Sequence, residues 1–431
     1  MGTSSRDHYD VVIIGAGMVG SALACALARA PECRDKRLLL VEASALRSDA
    51  PPAQPGYDTR STVLSAGSVE CFQHLGLWDE ELARSAPIHD IHISDQGRLG
   101  SVRLNAREEG VEALGYVVEN SVLGARLNRA LQHPGLTLRA PARVTALQPM
   151  PGGMRVLIDD LHSGLEAQTG ETQAAEAPSA VSASLVVMAE GGRSGLCPAL
   201  GIHHEKRDYG QSAVIANLGF AQPHQGVAFE RFTPKGPLAL LPLSPLGNEQ
   251  RAALIWTHAR NDAEAIMALD DATFLARIQQ DFGMRLGRFL KLGKRACFPL
   301  SLQLASEQIR PHLVLLGNVA HSLHPVAGQG FNLALRDSML LADNILASLR
   351  QGMAPGSITR LQAYQHAAAL DQQLTVAFSD YMTRLFSSDA TLLSWLRKAG
   401  MASVDLLPPL KSGLSRQAMG MAHARVLPGA S

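Results

Sequence analysis

Tyr9-Asp10-Val11-Val12-Ile13-Ile14 runs without a break into Gly15-Ala16-Gly17-Met18-Val19-Gly20, and helix-forming Ser21 to Ala30 follows. The first six residues are the nearly continuous apolar run of a strand buried on both faces. Pro31 ends the helix, and Arg37 to Val41 reads as a second strand closing on Glu42. The whole is a β-α-β unit. A Gly-x-Gly-x-x-Gly turn alone is weak, but between a buried strand and a helix, with an acid at the next strand end, it is a dinucleotide fingerprint. Gly15 permits the tight turn, Gly17 lets a pyrophosphate approach the backbone, and Gly20 lets helix and strand pack closely. The helix N-terminus offers free N–H groups and partial positive charge to the phosphates. Glu42 is placed to accept hydrogen bonds from a ribose and to repel a 2′-phosphate. The motif leaves FAD and NAD as alternatives.

The chain has 431 residues, 46% hydrophobic and 18% charged, with 39 basic against 39 acidic side chains. Its length accommodates about two or three domains. Zero formal charge argues against a nucleic-acid binder, which carries a basic footprint. No apolar run approaches the ~18 residues of a membrane span, and Met1 to Asp10 lacks the core of a secretion signal. The five cysteines, Cys25, Cys33, Cys71, Cys197 and Cys297, are scattered without a Cys-x-x-Cys pair. That pattern excludes a disulfide framework and a zinc ribbon and fits a reducing compartment. A cytoplasmic protein, peripheral at most to the inner membrane, is expected.

Beyond the opening unit, Ala50 to Gly56 is a Pro- and Gly-rich loop, followed by a helical pattern through Leu75. Ile91 to Leu104 alternates as a strand pair, Val122 to Leu131 reads as helix, and Val144 and Val156 to Ile158 read as strands. His162 to Ser184 has the composition of an enlarged exposed loop. Leu185 to Met188 is a buried strand entering Ala189-Glu190-Gly191-Gly192, and Ala213 to Trp256 alternates as an antiparallel sheet. Leu313 to Leu316 is a last buried strand entering Gly317-Asn318. Gly328-Gln329-Gly330 precedes a helix with Leu335, Met339, Leu346 and Leu349 on one face, and the chain beyond Pro355 reads as helical. The strand-to-glycine turns lie far apart, so the nucleotide domain is discontinuous.

Leu315 to Asn332, LLGNVAHSLHPVAGQGFN, resembles the flavin-contacting motif of the para-hydroxybenzoate hydroxylase superfamily, and within it the ubiquinone-biosynthesis aromatic-ring hydroxylases. Asp58 to Ser65, Gly124 to Leu127, Val186 to Ser194 and Glu230 to Pro237 carry the same resemblance, which covers Tyr9 to about Phe386. Ile88 to Gly97 looks most like the 2-polyprenyl-6-methoxyphenol hydroxylases. The resemblance implies an α/β fold: a Rossmann-like FAD-binding domain (8–85, 116–200 and 300–352), an inserted antiparallel β-sheet substrate domain (86–115 and 201–299), and C-terminal helices (353–431). It implies FAD on Gly15, Gly17, Gly20 and Glu42, with Arg60 and Arg126 toward the pyrophosphate and flavin. Asn318 falls on the ribityl and pyrophosphate region. Gly328, Gln329, Gly330, Phe331 and Asn332 fall at the flavin pyrimidine edge, where a helix N-terminus suits an anion. Glu190 stands where the superfamily has Asp. The implied reaction reduces the flavin with NAD(P)H as co-substrate, adds O2 at flavin C4a, and delivers hydroxyl to a polyprenyl phenol, para to its hydroxyl.

His321 and His324 sit three apart; loop-shaping hydrogen bonds are expected of them rather than a metal. Ser61 and Ser65 lack a nucleophile elbow. Arg231 and Lys235 read either as a solvated turn or as the lining of a path to the flavin. In the tail, Phe378, Tyr381, Met382 and Leu385 follow helical spacing, and from residue 351 seven Lys/Arg stand against four Asp/Glu. Core packing and a surface for a membrane or a ubiquinone-biosynthesis protein complex are the two readings. A sister hydroxylase of other regiochemistry, a flavin-dependent prenyl reductase and a cofactor-free prenyl-binding escort protein are the alternative functions. No catalytic acid or base is evident from the sequence.

Overall fold

A computed structural model describes residues 7–46, 60–96, 101–161, 178–192, 194–323, 328–387, 412–413, 415–416 and 419–421, with backbone alone over 382–387. Strand His8–Ile14 pairs in parallel with Leu38–Val41 on one side and Ser179–Met188 on the other. The parallel order continues to Leu136–Arg139 and to Leu313–Leu315 at the two flanks. The unbroken apolar runs now have a cause, because successive residues enter different cores. Val11, Ile13, Leu40 and Val187 pack beneath helices Met18–Arg29 and Gln329–Arg350, with Leu23, Leu27, Leu335 and Met339. Val12, Ile14, Leu39 and Val186 pack on the other face against Val144, Val156 and Ile158 of the hairpin Ala142–Met150/Gly153–Asp160. Each such side chain contributes roughly 1.5–3 kcal/mol through burial.

A nine-stranded sheet is built around His204–Phe220, Glu249–Ala259, Gly236–Leu246 and Val227–Thr233, antiparallel in that order. Val227–Thr233 then pairs in parallel with Asp90–Asp95, which turns back as Ser101–Asn105. One face carries Val214, Leu218 and Trp256 against Phe274, Ile278 and Phe282 of helix Asp271–Phe282. The other, inner face turns Ala228, Leu243 and Ala253 toward Ile88, Leu114 and Val117. Ile88 and Val117 belong to a small sheet of Ser61–Ser65, Gly115–Glu119 and Ala86–Ile88. Fully buried Arg251 joins the two sheets, its guanidinium donating to Glu119 Oε1 at 2.8 Å and to the Ser244 carbonyl at 2.7 Å.

Two sequence expectations change. Ser61–Ser65 is a strand, and the helix starts only at Ala66, because Gly115–Glu119 supplies a pairing edge that local sequence does not show. The expected loop 162–184 ends earlier: Ser179 to Ser184 extends the buried strand by pairing with His8, Tyr9 and the hairpin. Residues 162–177 lie outside the described residues, as do the 50–56 loop, Asp58, Thr59, Gly97, His324, Trp395, Arg397 and Lys398. Helix Ile358–Ser387 continues the chain, exposing Leu370, Leu374 and Tyr381. No helix among the described residues is long and apolar enough to cross a membrane. Cys25, Cys33, Cys71 and Cys197 are buried. Burial pushes the Cys33 thiol up to about 12 and Cys71 and Cys197 to about 11.

Candidate functional site

Parallel neighbours on both sides of His8–Ile14 leave a crevice beyond its C-terminal end, where open α/β sheets bind ligands. Gly15 occupies that end with φ +101° and donates its N–H to the Val41 carbonyl at 2.8 Å. A Cβ there would stand 2.8 Å from the Ala189 carbonyl oxygen, and one on Gly20 would stand 2.0 Å from the Gly15 carbonyl oxygen. Both glycines are therefore required by the protein's own packing. Gly17 differs: a Cβ there would meet nothing within 4 Å. It lines a cavity of about 1010 Å³ at the start of helix Met18–Arg29. A side chain at Gly17 would project into that cavity, where the N–H groups of the first helical turn are natural donors to an anionic ligand.

Glu42 lines the same cavity. Its Oε2 accepts from the Ala16 N–H at 2.7 Å and its Oε1 from the Ser44 N–H at 2.8 Å, so it holds the glycine turn in shape. Each oxygen keeps a second lone pair for a ribose hydroxyl. Glu190, Asn318, Gly330 and Phe331 close the cavity from three other turns. Glu190 Oε2 accepts from the Ser194 N–H at 3.1 Å, while its buried Oε1 has no hydrogen-bond partner among the described residues. A buried orphan acceptor beside a phosphate-type cradle fits a ligand rich in hydroxyls and phosphates, as FAD is. Glu42→Ala is expected to weaken FAD binding by about 1–3 kcal/mol, the range for losing a charge-assisted hydrogen bond, as read by equilibrium titration of apoprotein.

Asn332, fully buried, spends its side chain on structure. Its Oδ1 accepts from the Ser65 N–H at 2.9 Å and from Ser68 Oγ at 2.7 Å, and its Nδ2 donates to the carbonyls of Val63 and Gly328. Gly328 caps the helix with φ +61°, and buried Gln329 opens it. Asn332 thus fixes the turn whose Gly330 and Phe331 reach the cavity. Arg60 and Arg126 are not brought there. Arg60 lies over the Phe298 ring, and Arg126 pairs with Asp79 at 2.6 Å and donates to the Gly76 carbonyl. His321 Nε2 meets Asp337 Oδ2 at 2.7 Å in the core. Arg231 Nε donates to the Asp281 carbonyl on the outer face of the large sheet. Arg143 and Thr145 also line the cavity; they belong to no recognisable motif, and only the hairpin's place beside Glu42 reveals them.

The family model described as an FAD binding domain matches residues 8–379. The chain belongs to that family. Ubiquinone hydroxylase UbiL of Rhodospirillum rubrum is 36% identical over 420 residues, covering 97% of this chain and 91% of the relative. The 3-demethoxyubiquinol 3-hydroxylase of Escherichia coli is 31% identical over 413 residues, covering 96% and 98%. The human mitochondrial ubiquinone biosynthesis monooxygenase COQ6 is 28% identical, covering 95% and 92%. Among solved structures, p-nitrophenol 4-monooxygenase PnpA of Pseudomonas putida superposes with a TM-score of 0.73 at 14% identity, covering 97% and 100%. OxyS anhydrotetracycline hydroxylase of Streptomyces rimosus does so at 0.69 and 22%, covering 98% and 78%. The protein is a member of the ubiquinone-biosynthesis hydroxylase group, an FAD-dependent monooxygenase that takes its reducing equivalents from NAD(P)H.

Proposed function

We propose that the enzyme hydroxylates a polyprenylated phenol in ubiquinone biosynthesis, para to the existing hydroxyl, giving a 1,4-hydroquinol. The supporting observation is the 36% identity to a ubiquinone hydroxylase across nearly the whole chain. Bound FAD, once reduced, supplies an electrophilic oxygen atom from O2. The chain's own residues do the rest. Gly17 and the first turn of the Met18–Arg29 helix, shaped by the packing of Gly15 and Gly20, would hold the pyrophosphate, and Glu42 would take the ribose. Gly330 and Phe331, fixed by Asn332, would hold the flavin side. The nine-stranded sheet covers the ring and keeps water from the reacting atoms.

An electrophile attacks a phenol ortho or para to its hydroxyl. In a 2-polyprenyl-6-methoxyphenol both ortho carbons are substituted, so the para carbon is the activated position that still bears hydrogen. At ~0.8 kcal/mol per buried CH₂, the prenyl chain contributes strongly to binding. A substrate with such a tail is delivered from a membrane surface or a lipid-presenting partner, and exposed Leu370, Leu374 and Tyr381 support such a contact. The E. coli relative favours a second reading, attack at another ring position, since its name specifies a 3-hydroxylase. Purified enzyme with NAD(P)H and ¹⁸O₂ is expected to place one labelled oxygen para to the hydroxyl. Label at a meta carbon selects the sister regiochemistry, and oxygen from water removes both.

A further inference from the structure

We propose that Glu230 is a substrate-contacting residue whose carboxylate, on the inner face of the nine-stranded sheet, accepts the hydrogen bond of the phenolic hydroxyl. The assignment deepens the proposed function and rests on its reading of the substrate as a phenol. Strand Val227–Thr233 alternates its side chains between two faces. Phe229 meets the Phe282 ring at 5.4 Å and Arg231 bonds the Asp281 carbonyl, so these two point outward to helix Asp271–Phe282. Ala228 and Glu230 therefore point inward. Register places Glu230 beside Ile93 on one neighbouring strand and Ala239 on the other. Ala228, Ile93 and Leu241 share one apolar cluster with Val63. Val63 in turn backs the flavin-side turn, since a Cβ on Gly328 would lie 3.2 Å from its Cβ.

A carboxylate thus stands on an aliphatic wall that faces the Gly328–Phe331 turn. Glu42 and Glu119 spend their oxygens on backbone N–H groups and on Arg251. For Glu230 there is no hydrogen-bond or ion-pair partner among the described residues, and the residue as a whole is half-buried. A half-buried acid without a partner, at a position that register turns inward, is open to a ligand. Burial is the only cause acting on its carboxyl, which it pushes up to about 7. An unpartnered acid on an apolar wall costs stability, and such a cost is kept where a ligand supplies the missing partner. A phenol on an apolar ring is that partner: one O–H donor, no negative charge. The same carboxylate repels a ring carboxylate, so the site selects rings that carry none.

The test uses purified holoenzyme and two short-chain ligands, a 2-prenyl-6-methoxyphenol and its deoxy analogue with hydrogen in place of the hydroxyl. Dissociation constants are read from the flavin absorbance change. Wild type is expected to favour the phenol about tenfold or more, as a charge-assisted hydrogen bond would. Glu230→Ala is expected to bind both ligands equally, and Glu230→Gln to keep a reduced preference. Both variants should retain FAD and melt at or above the wild-type temperature. An undiminished preference in Glu230→Ala overturns the proposal. So does lower melting temperature with equal weakening of both ligands, the mark of a purely structural residue. Should Glu230→Ala not fold, a wild-type preference in Glu230→Gln overturns it equally. Failure of the phenol reading is seen separately, as absence of ¹⁸O in wild-type product.

Discussion

Gly17→Val is expected to fold normally and purify colourless. The turn is at φ −63°, ordinary for any residue, and the new Cβ meets no protein atom within 4 Å. The valine instead fills the space of the pyrophosphate, so flavin released on denaturation should fall from near-stoichiometric to undetectable. Gly20→Ala is the contrasting case. Its methyl would stand 2.0 Å from the Gly15 carbonyl oxygen, and backbone atoms give way poorly. Overpacking of that kind costs about 1–3 kcal/mol or more, so this variant should lose stability even without cofactor. Full flavin occupancy in Gly17→Val would remove the assignment of the cavity.

Arg251→Ala is the second large effect. It strips the buried countercharge from Glu119 and the donor from the Ser244 carbonyl. Breaking a buried ion pair from one side costs about 3–5 kcal/mol, whereas replacing both partners with apolar groups of similar volume is often neutral. Denaturant melts should therefore show a large loss for Arg251→Ala and substantial recovery for Arg251→Met combined with Glu119→Leu. Equal stability of the single variant and wild type would mean that the pair joins the two sheets without stabilising them.

The glycine turn was legible because every part of it lies within one contiguous β-α-β unit, from Tyr9 to Glu42. Glu190 and Asn318 follow buried strands at glycine turns and Gly330 opens a helix, but only the family resemblance assigns them to a cofactor; the fold places all three with Gly17 in the lining of one cavity. What sequence left hidden is set by pairing between distant strands. Glu119 and Arg251 are 132 residues apart, and nothing near either announces a buried ion pair. Ser61–Ser65 looked helical because its edge partner is Gly115–Glu119. Glu230 sits inside a recognisable stretch, but its isolation among apolar neighbours appears only once strand register is known. The resemblance also directed Arg60 and Arg126 to the cofactor, whereas the fold engages them with Phe298 and Asp79.

Reduced flavin that meets oxygen without substrate releases hydrogen peroxide, so an enzyme of this kind is exposed to its own oxidant. Peroxide attacks thiolates, not thiols, and only where it can reach them. Cys33, Cys71 and Cys197 are buried with their protons held well above physiological pH, and Cys25 is shifted the same way by burial. Four of the five cysteine sulfurs are thereby kept in the unreactive form, and the partly accessible one is Cys297. Packing chosen for the core also gives the catalyst endurance against futile turnover.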